Sequence, residues 1–462
     1  MTGAGRDRLR LRLQRLAALV PPRLRTGLRR LTPAWLRPSA ATVTLERWDR
    51  PLYGDGPGLA GIATVQVPPA PVVLGSAELR VAVVTSELDV GGMDVFVAFL
   101  ARGLRERGAS VVVLIAWTKP EHDGRLAATL REEGYDVRAV DAAALAAALA
   151  ELRPEVASVH GAPDWAVEAL RRQGVPAVET VHGMHTLYAA GPGEIAARTA
   201  ALTAVVTLSE MAREEYLRIA PSEALTVIPN GVVSARQPAR VRQAARAALG
   251  IDEEFLVVSL ARHCPQKNSY GLVEAFADVA ERVPDAVLVV AGRPDDPSYA
   301  GQVLALRSRL RCRDRIHVRD QLDRPAALLA AADCFVLDSF FEGWALASME
   351  AMTAGLPVVL SEVSGAVDQL AAVPGAGLLV PNPLGDPLAV DWPAIARARF
   401  ARQGNREALV AALSDVARRR AQWAARRQQI ALHAEAAFDP ATCLDRHLAV
   451  LRHAAHAPEV SR

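Results

Sequence analysis

Two stretches of this chain combine residue types suited to a charged, hydroxyl-rich ligand. The first is Ala261-Arg262-His263-Cys264-Pro265-Gln266-Lys267-Asn268, directly after an apolar run. Arginine grips a diphosphate with paired N–H groups and lysine adds a compact charge, so a loop offering Arg262 and Lys267 suits a nucleotide diphosphate. Alone, Arg262 reads as a surface cation on an ordinary loop. Lys267 adds weight, because lysine occurs only there and at Lys119. The second stretch is Asp338-Ser339-Phe340-Phe341-Glu342-Gly343-Trp344-Ala345-Leu346-Ala347-Ser348-Met349-Glu350-Ala351-Met352. Gly343 lets backbone approach a ligand, and the N–H groups entering the next helix can receive phosphate. Glu342 on the loop and Glu350 on the helix can accept hydrogen bonds from sugar hydroxyls. In isolation such glutamates are ordinary solvated residues.

The surrounding elements place both stretches at one kind of position. From Leu79 onward short apolar runs alternate with helical segments. The spacing predicts strands at Arg80–Thr85, Ser110–Ala116, Ala157–Val159, Ala177–Val181, Ala204–Leu208 and Leu225–Ile228. After an Arg-rich stretch, a second set is predicted at Phe255–Leu260, Ala286–Ala291, Ile316–Val318, Cys334–Leu337 and Pro357–Leu360. Such alternation gives parallel sheets covered by helices on both faces, and two sets imply two doubly wound domains. Ligands of that architecture bind beyond the carboxyl ends of the strands, where both stretches fall. The expected organisation is a basic extension and linker over 1–78, one domain over 79–235, a second over 236–400, and closing helices over 401–462.

Composition narrows the class. The chain has 462 residues, 51% hydrophobic and 23% charged, with 53 basic against 51 acidic side chains, which excludes wholesale disorder. No apolar run is long enough to span a membrane and no signal peptide is legible, so a cytoplasmic location is expected. Four widely spaced cysteines in no metal or CxxC pattern argue against a disulfide frame or structural metal. Charge is uneven: residues 1–37 hold ten arginines and one acid, Asp7. Leu9, Leu13, Leu16 and Val20, then Leu24, Leu28, Leu31 and Trp35, recur at helical spacing among them. Two basic amphipathic helices able to lie on an anionic membrane surface are one reading, and a solvated or self-packed tail is the other. Gly56-Pro57-Gly58-Leu59-Ala60-Gly61 matches GxGxxG without its strand-turn-helix context and reads as accidental. The arginines lack interleaved stacking aromatics, which argues against nucleic acid.

Taken together, Arg262-x4-Lys267, then Glu342-x7-Glu350, then Ala354-Gly355-Leu356-Pro357-Val358-Val359 resemble the donor-binding half of retaining glycosyltransferases of family four, which have the GT-B fold. Gly91-Gly92, Thr180-Val181-His182, the strand ending at Ser209 and Val227-Ile228-Pro229-Asn230-Gly231 fall in the family's order. The resemblance covers roughly residues 80–455. It implies two Rossmann-like domains facing a cleft and transfer of a hexose-type sugar, with retention, from a nucleotide diphosphate sugar to a carbohydrate or lipid-linked acceptor. Arg262 and Lys267 would neutralise the diphosphate and Glu350 would hold the ribose. Glu342 and the backbone of Gly343, Trp344, Ala345 and Leu346 would hold the sugar. His182 would face the sugar, with His160 and His185 as competitors, and Gly91-Gly92 would let the first loop reach donor and acceptor. No cofactor or metal is implied. No D-x-D triplet occurs, and Asp295-Asp296 are adjacent.

The departures from the family pattern are Ala345 in place of a usual glycine, Val233 for an aspartate, Asp368 near a usual glutamate, and Asp94 at a frequent glutamate position. A Cβ at Ala345 would narrow the donor space if that residue needs positive φ. Two other readings therefore stand beside the transferase: a nucleotide-sugar epimerase or hydrolase of the same fold, and a noncatalytic donor-binding partner. Base recognition is expected near Gly292-Arg293 and His317 to Gln321.

Overall fold

A computed structural model describes residues 45, 78–89, 91–116, 124–183, 191–322, 325–387 and 390–457. The arginine-rich opening, the GxGxxG-like run, Lys119 and His185 lie outside the described residues. The chain divides into two compact units. One gathers the described residues of Ala63–Val233, Glu342–Met349 and Glu435–Arg462; the other is built chiefly from Ser234–Phe341 and Glu350–Ala434.

The first unit carries seven parallel strands: β1 (Arg80–Thr85), β2 (Ser110–Ala116), β3 (Asp136–Val140), β4 (Val156–His160), β5 (Ala177–Val181), β6 (Ala204–Thr207) and β7 (Leu225–Val227). Their order is β3-β2-β1-β4-β5-β6-β7. The side-chain period of two sorts β1 between two cores. Val81 and Val83 join Phe96, Leu100 and Leu444 in one cluster, while Ala82 and Val84 join Leu145, Val167 and Tyr216 in another. Both faces being covered, β4 and β5 are buried along their whole length. The chain's last long helix, Pro440–Ala455, packs here, contributing Leu444, Leu448 and Leu451 to the first cluster.

The second unit has six parallel strands: β8 (Phe255–Leu260), β9 (Ala286–Ala291), β10 (Ile316–Arg319), β11 (Cys334–Leu337), β12 (Val358–Ser361) and β13 (Gly377–Val380). Their order is β10-β9-β8-β11-β12-β13. The two Rossmann-like sheets thus agree with the expected fold class. β3 and β13, not among the strands expected from sequence, are short edge strands: Asp136 and Arg138 break the apolar signal of β3, and β13 is an apolar run of only four residues. At the amino end of β11, Arg242 donates to the carbonyls of Ala330, Ala331 and Ala332 and to Asp333, and Arg246 to Ala331 and Asp333. These cations close the carboxyl end of helix Pro325–Ala331, where unpaired carbonyls attract positive charge.

Each sheet reverses direction beside its first strand. In the first unit β1 lies between β2 and β4; in the second β8 lies between β9 and β11. Loops leaving the two strands at such a switch point diverge and open a crevice. In the second unit those loops, after β8 and β11, are the two stretches singled out from sequence.

The four cysteines are free thiols. Among the described residues no helix is long and apolar enough to cross a membrane.

The Asn230-Gly231 segment has a packing role. A Cβ on Gly231 would lie 2.6 Å from Pro440 Cα, and Val232 N–H donates to the Phe438 carbonyl at 3.0 Å. Gly231→Ala should therefore destabilise the first unit by about 1–3 kcal/mol, seen as a lower thermal midpoint. Gly193→Ala, where the added carbon meets nothing within 4 Å, should leave the midpoint unchanged or slightly higher.

Candidate functional site

In the second unit the loop after β8 ends in a short turn, Pro265–Lys267, and then Asn268 at φ 51°, before helix Ser269–Arg282 begins. Asparagine tolerates this left-handed backbone better than most residues. Asn268 is fully buried, and its Nδ2 donates to Asp338 Oδ2 at 2.9 Å. Asn405 Nδ2 donates to the other carboxylate oxygen at 2.7 Å. Burial outweighs both amides and pushes the Asp338 carboxyl up to about 7. Phe340 N–H donates to the Gln266 carbonyl at 2.9 Å and Gln266 Nε2 to the Phe341 carbonyl at 3.1 Å. Asn382 Nδ2 secures the Phe340 carbonyl at 2.8 Å, and Ser361 Oγ that of Ser339 at 2.7 Å. The two loops are therefore one interlocked body. Lys267, beside Asn268, is carried by it.

Arg262 leaves the same loop and pairs with Asp295 at 2.6 Å, and Arg293 pairs with the same carboxylate at 2.6 Å. Asp295 thus orients two guanidiniums. Its neighbour Asp296 caps helix Pro297–Arg307 by accepting from Tyr299 N–H. Gly292 allows the loops after β8 and β9 to touch: a Cβ there would lie 2.1 Å from the Ala261 carbonyl oxygen.

Glu350 sits in helix Leu346–Thr353, which follows the β11 loop. Part of its surface stays open, yet enough protein surrounds the carboxyl to push it up to about 7, by burial alone. Among the described residues no side chain or backbone N–H donates to it, and no cation pairs with it. A desolvated carboxylate without a partner costs stability and marks a place where a ligand can supply the missing donors.

In the first unit, β1 leads to Gly91 and Gly92 at the start of helix Gly92–Glu106. Gly91 has φ −69°, and a Cβ on Gly92 would make only an ordinary 3.8 Å contact with Leu346 Cδ1. The fold does not demand glycine at position 92, whereas at 91 a Cβ would crowd Asp94 Oδ2 at 3.2 Å. The buried Asp94 carboxylate holds this turn by accepting from the N–H of Gly91 at 2.8 Å and of Asp89 at 3.1 Å. An aspartate is thus long enough for that task.

His182 follows β5 with the Phe96 ring edge-on at 5.1 Å. Its Nε2 lies 2.9 Å from His160 Nδ1, and His160 Nε2 lies 2.9 Å from Ser158 Oγ. The segment Glu342–Met349 belongs to the same unit. Gly343 is required there, because a Cβ would lie 2.0 Å from the His182 carbonyl oxygen. Trp344 is anchored by donation from Nε1 to Met349 Sδ and by an edge-to-face contact with Phe438. Ser348 Oγ donates to the Ala345 carbonyl at 2.8 Å. Ala345 does not have positive φ; among the described residues only Arg153 and Asn268 do so without being glycine. Its Cβ therefore carries no backbone strain. Glu342 is buried in the same segment.

In the sequence Asn268 and Asp338 stand out only as members of their stretches, and nothing there marks Asn405 or Ser158. An Asp that opens one loop of the switch point and an Asn that closes the other are a usable signal; a partner 67 residues from Asp338 is not.

Comparison with known proteins places this arrangement. Residues 90–236 match the family described as Glycosyltransferase Family 4, and residues 241–389 the family of Glycosyl transferases group 1. The chain belongs to glycosyltransferase family 4. The D-inositol 3-phosphate glycosyltransferase of Jonesia denitrificans is 29% identical over 343 residues, 64% of this chain and 80% of the relative. The GDP-mannose:cellobiosyl-diphosphopolyprenol alpha-mannosyltransferase of Xanthomonas campestris is 27% identical, covering 63% of this glycosyltransferase and 80% of the relative. The crystal structure of Anabaena HepE in complex with UDP aligns with a TM-score of 0.66 at 17% identity, covering 81% of this chain and all of that one, a likeness of fold.

The Glu350 carboxyl gives a pH signature. Its folded value of about 7 exceeds the ordinary 4.5, so the folded glycosyltransferase keeps a proton that the unfolded chain releases between those values. The resulting penalty is absent well below pH 4.5, grows as pH rises, and is complete above about 7. Glu350→Gln should raise the thermal midpoint by roughly a few degrees at pH 8 and change little at pH 4.5, measured by calorimetry.

Proposed function

We propose that this family member transfers a hexose-type sugar from a nucleotide diphosphate sugar to an acceptor with retention of anomeric configuration. The observation that carries the reading is Glu350: a desolvated carboxyl without a partner among the described residues, in the helix after the loop that is interlocked with the Lys267 loop. A ribose supplies the two hydroxyl donors such a carboxylate lacks. Arg262 and Lys267 neutralise the diphosphate, with Asp295 holding Arg262 in place. Glu342 and the backbone of Gly343 to Leu346 hold the donor sugar, and His182 faces it. Gly91 and Gly92 leave room for donor and acceptor, and at Gly92 the fold itself does not require glycine.

Departure of the nucleoside diphosphate builds negative charge on the phosphates and positive charge on the anomeric carbon. Fixed cations and helix N–H groups stabilise the former most in the transition state, which lowers the barrier. The acceptor hydroxyl attacks on the face the phosphate leaves, and the departing phosphate oxygen takes its proton. This scheme calls for no metal or cofactor. Ala345, free of backbone strain, is compatible with turnover. The acceptor is a glycan or a lipid-linked sugar, the latter supported by the relative named for a diphosphopolyprenol acceptor. Residues 1–37 would hold the protein at the anionic inner face of a membrane.

The test is a panel of nucleotide sugars incubated with and without lipid-linked and free glycan acceptors, with product configuration read by NMR. One donor should give an acceptor-dependent α product from an α donor. Arg262→Ala and Lys267→Ala should each lower kcat by roughly 100-fold or more. Donor conversion at the same rate without acceptor would replace this reading with an epimerase or hydrolase. Binding without turnover throughout would favour the noncatalytic partner.

A further inference from the structure

His182 is reached through two buried groups whose hydrogen-bond capacities constrain its proton. His160 is fully buried, and burial, followed by the neighbouring His182 and His447, holds its pKa well below the ordinary 6.5. It is therefore neutral, with one N–H and one lone pair. Both ring nitrogens are engaged: Nε2 with Ser158 Oγ and Nδ1 with His182 Nε2, each at 2.9 Å. Only two arrangements satisfy both bonds.

In the first, Ser158 O–H donates to His160 Nε2, and His160 Nδ1–H donates to His182 Nε2. His182 then accepts on Nε2, and its own proton lies on Nδ1. In the second every donor reverses: His182 Nε2–H donates to His160 Nδ1, and His160 Nε2–H to Ser158 Oγ. Ser158 decides between them. It is 1% exposed, and His160 Nε2 is the one acceptor its hydroxyl meets among the described residues. The second arrangement strands that hydroxyl proton in the interior, where an unmade hydrogen bond is costly. The first strands no donor. The Phe96 ring, its centroid 5.1 Å from that of His182 and 5.3 Å from that of His447, packs against the cluster.

We propose that Ser158 and His160 are positioning residues that hold His182 as a neutral imidazole with its proton on Nδ1, so that it offers the donor sugar a hydrogen-bond donor rather than a base. The inference rests on the reading of His182 as the sugar contact and adds what that contact can be: a ligand oxygen with a lone pair, such as a hydroxyl or ring oxygen. Protonating His182 needs the relay to reverse, so Ser158 also resists formation of the imidazolium.

The test uses the full chain labelled with [15N]histidine, with His182 assigned by loss of its signal in His182→Gln. Ring-nitrogen shifts in wild type should show a protonated Nδ1 and an unprotonated Nε2 at His182. Ser158→Ala removes the hydroxyl that sets the direction and should bring the Nε2-protonated form into the population; Ser158→Thr, which keeps the hydroxyl, should restore the wild-type pattern. Ser158→Ala should also weaken donor binding several-fold in KM, with Ser158→Thr again restoring it. A wild-type His182 carrying its proton on Nε2, or a tautomer indifferent to Ser158→Ala, overturns the relay whatever the protein does with a donor. A verified relay with unchanged kcat and KM in Ser158→Ala overturns the sugar-contact part alone. The small Ser158 substitutions avoid the folding risk of replacing buried His160.

Discussion

The buried carboxylate of Asp338 is the interaction on which the second unit's functional surface depends. It ends β11 and accepts from Asn268 on the loop after β8 and from Asn405 after β13. Burying a carboxylate is expensive unless hydrogen bonds compensate, and here they do so only in part, since the group stays raised to about 7. The return is geometric. Three connections from separate strands meet at one point, and the left-handed Asn268 fixes the backbone beside Lys267. Gln266 and Asn382 continue the interlock to Phe340 and Phe341. A cation that must act on a phosphate gains from being carried by a rigid loop, because no reorganisation is needed when charge develops.

Glycines and histidines do comparable work in the first unit. Gly343 permits backbone contact with the His182 carbonyl, and Gly231 contact with the start of the last helix. Both are absolute steric requirements. Gly92 is not, and that contrast separates glycines kept for packing from a glycine that leaves space. The same unit keeps a neutral buried histidine behind His182, so the direction of one serine hydroxyl sets the character of a ring two hydrogen bonds away.

Much of this was legible in the sequence, for identifiable reasons. Strands buried on both faces, such as β9 and β11, read as continuous apolar runs, and the loops after β8 and β11 announced themselves by placing Arg262, Lys267 and Glu342 next to such runs. Edge strand β3 was not legible because Asp136 and Arg138 interrupt it, whereas β13 was missed although Leu378, Leu379 and Val380 form a short apolar run. The Asp338–Asn405 bond and the Ser158–His160–His182 chain were invisible too, since each depends on which strands become neighbours. The concern over Ala345 was a question about φ, which a sequence cannot answer and the backbone does. Asp295 and Asp296, adjacent and so not a D-x-D triplet, have other tasks in the fold: one orients Arg262 and the other caps a helix.

The central claim is that the Glu350 carboxyl, desolvated and without a partner among the described residues, receives a ribose. Calorimetric titration of a nucleoside diphosphate series near pH 7, in buffers of different ionisation enthalpy, counts the protons exchanged on binding. If ribose hydroxyls donate to Glu350, binding draws its raised carboxyl into the ionised form, and one diphosphate should bind with release of a fraction of a proton that disappears in Glu350→Gln. Binding with the same proton count in wild type and variant, or no binding by any member of the series, would contradict the account.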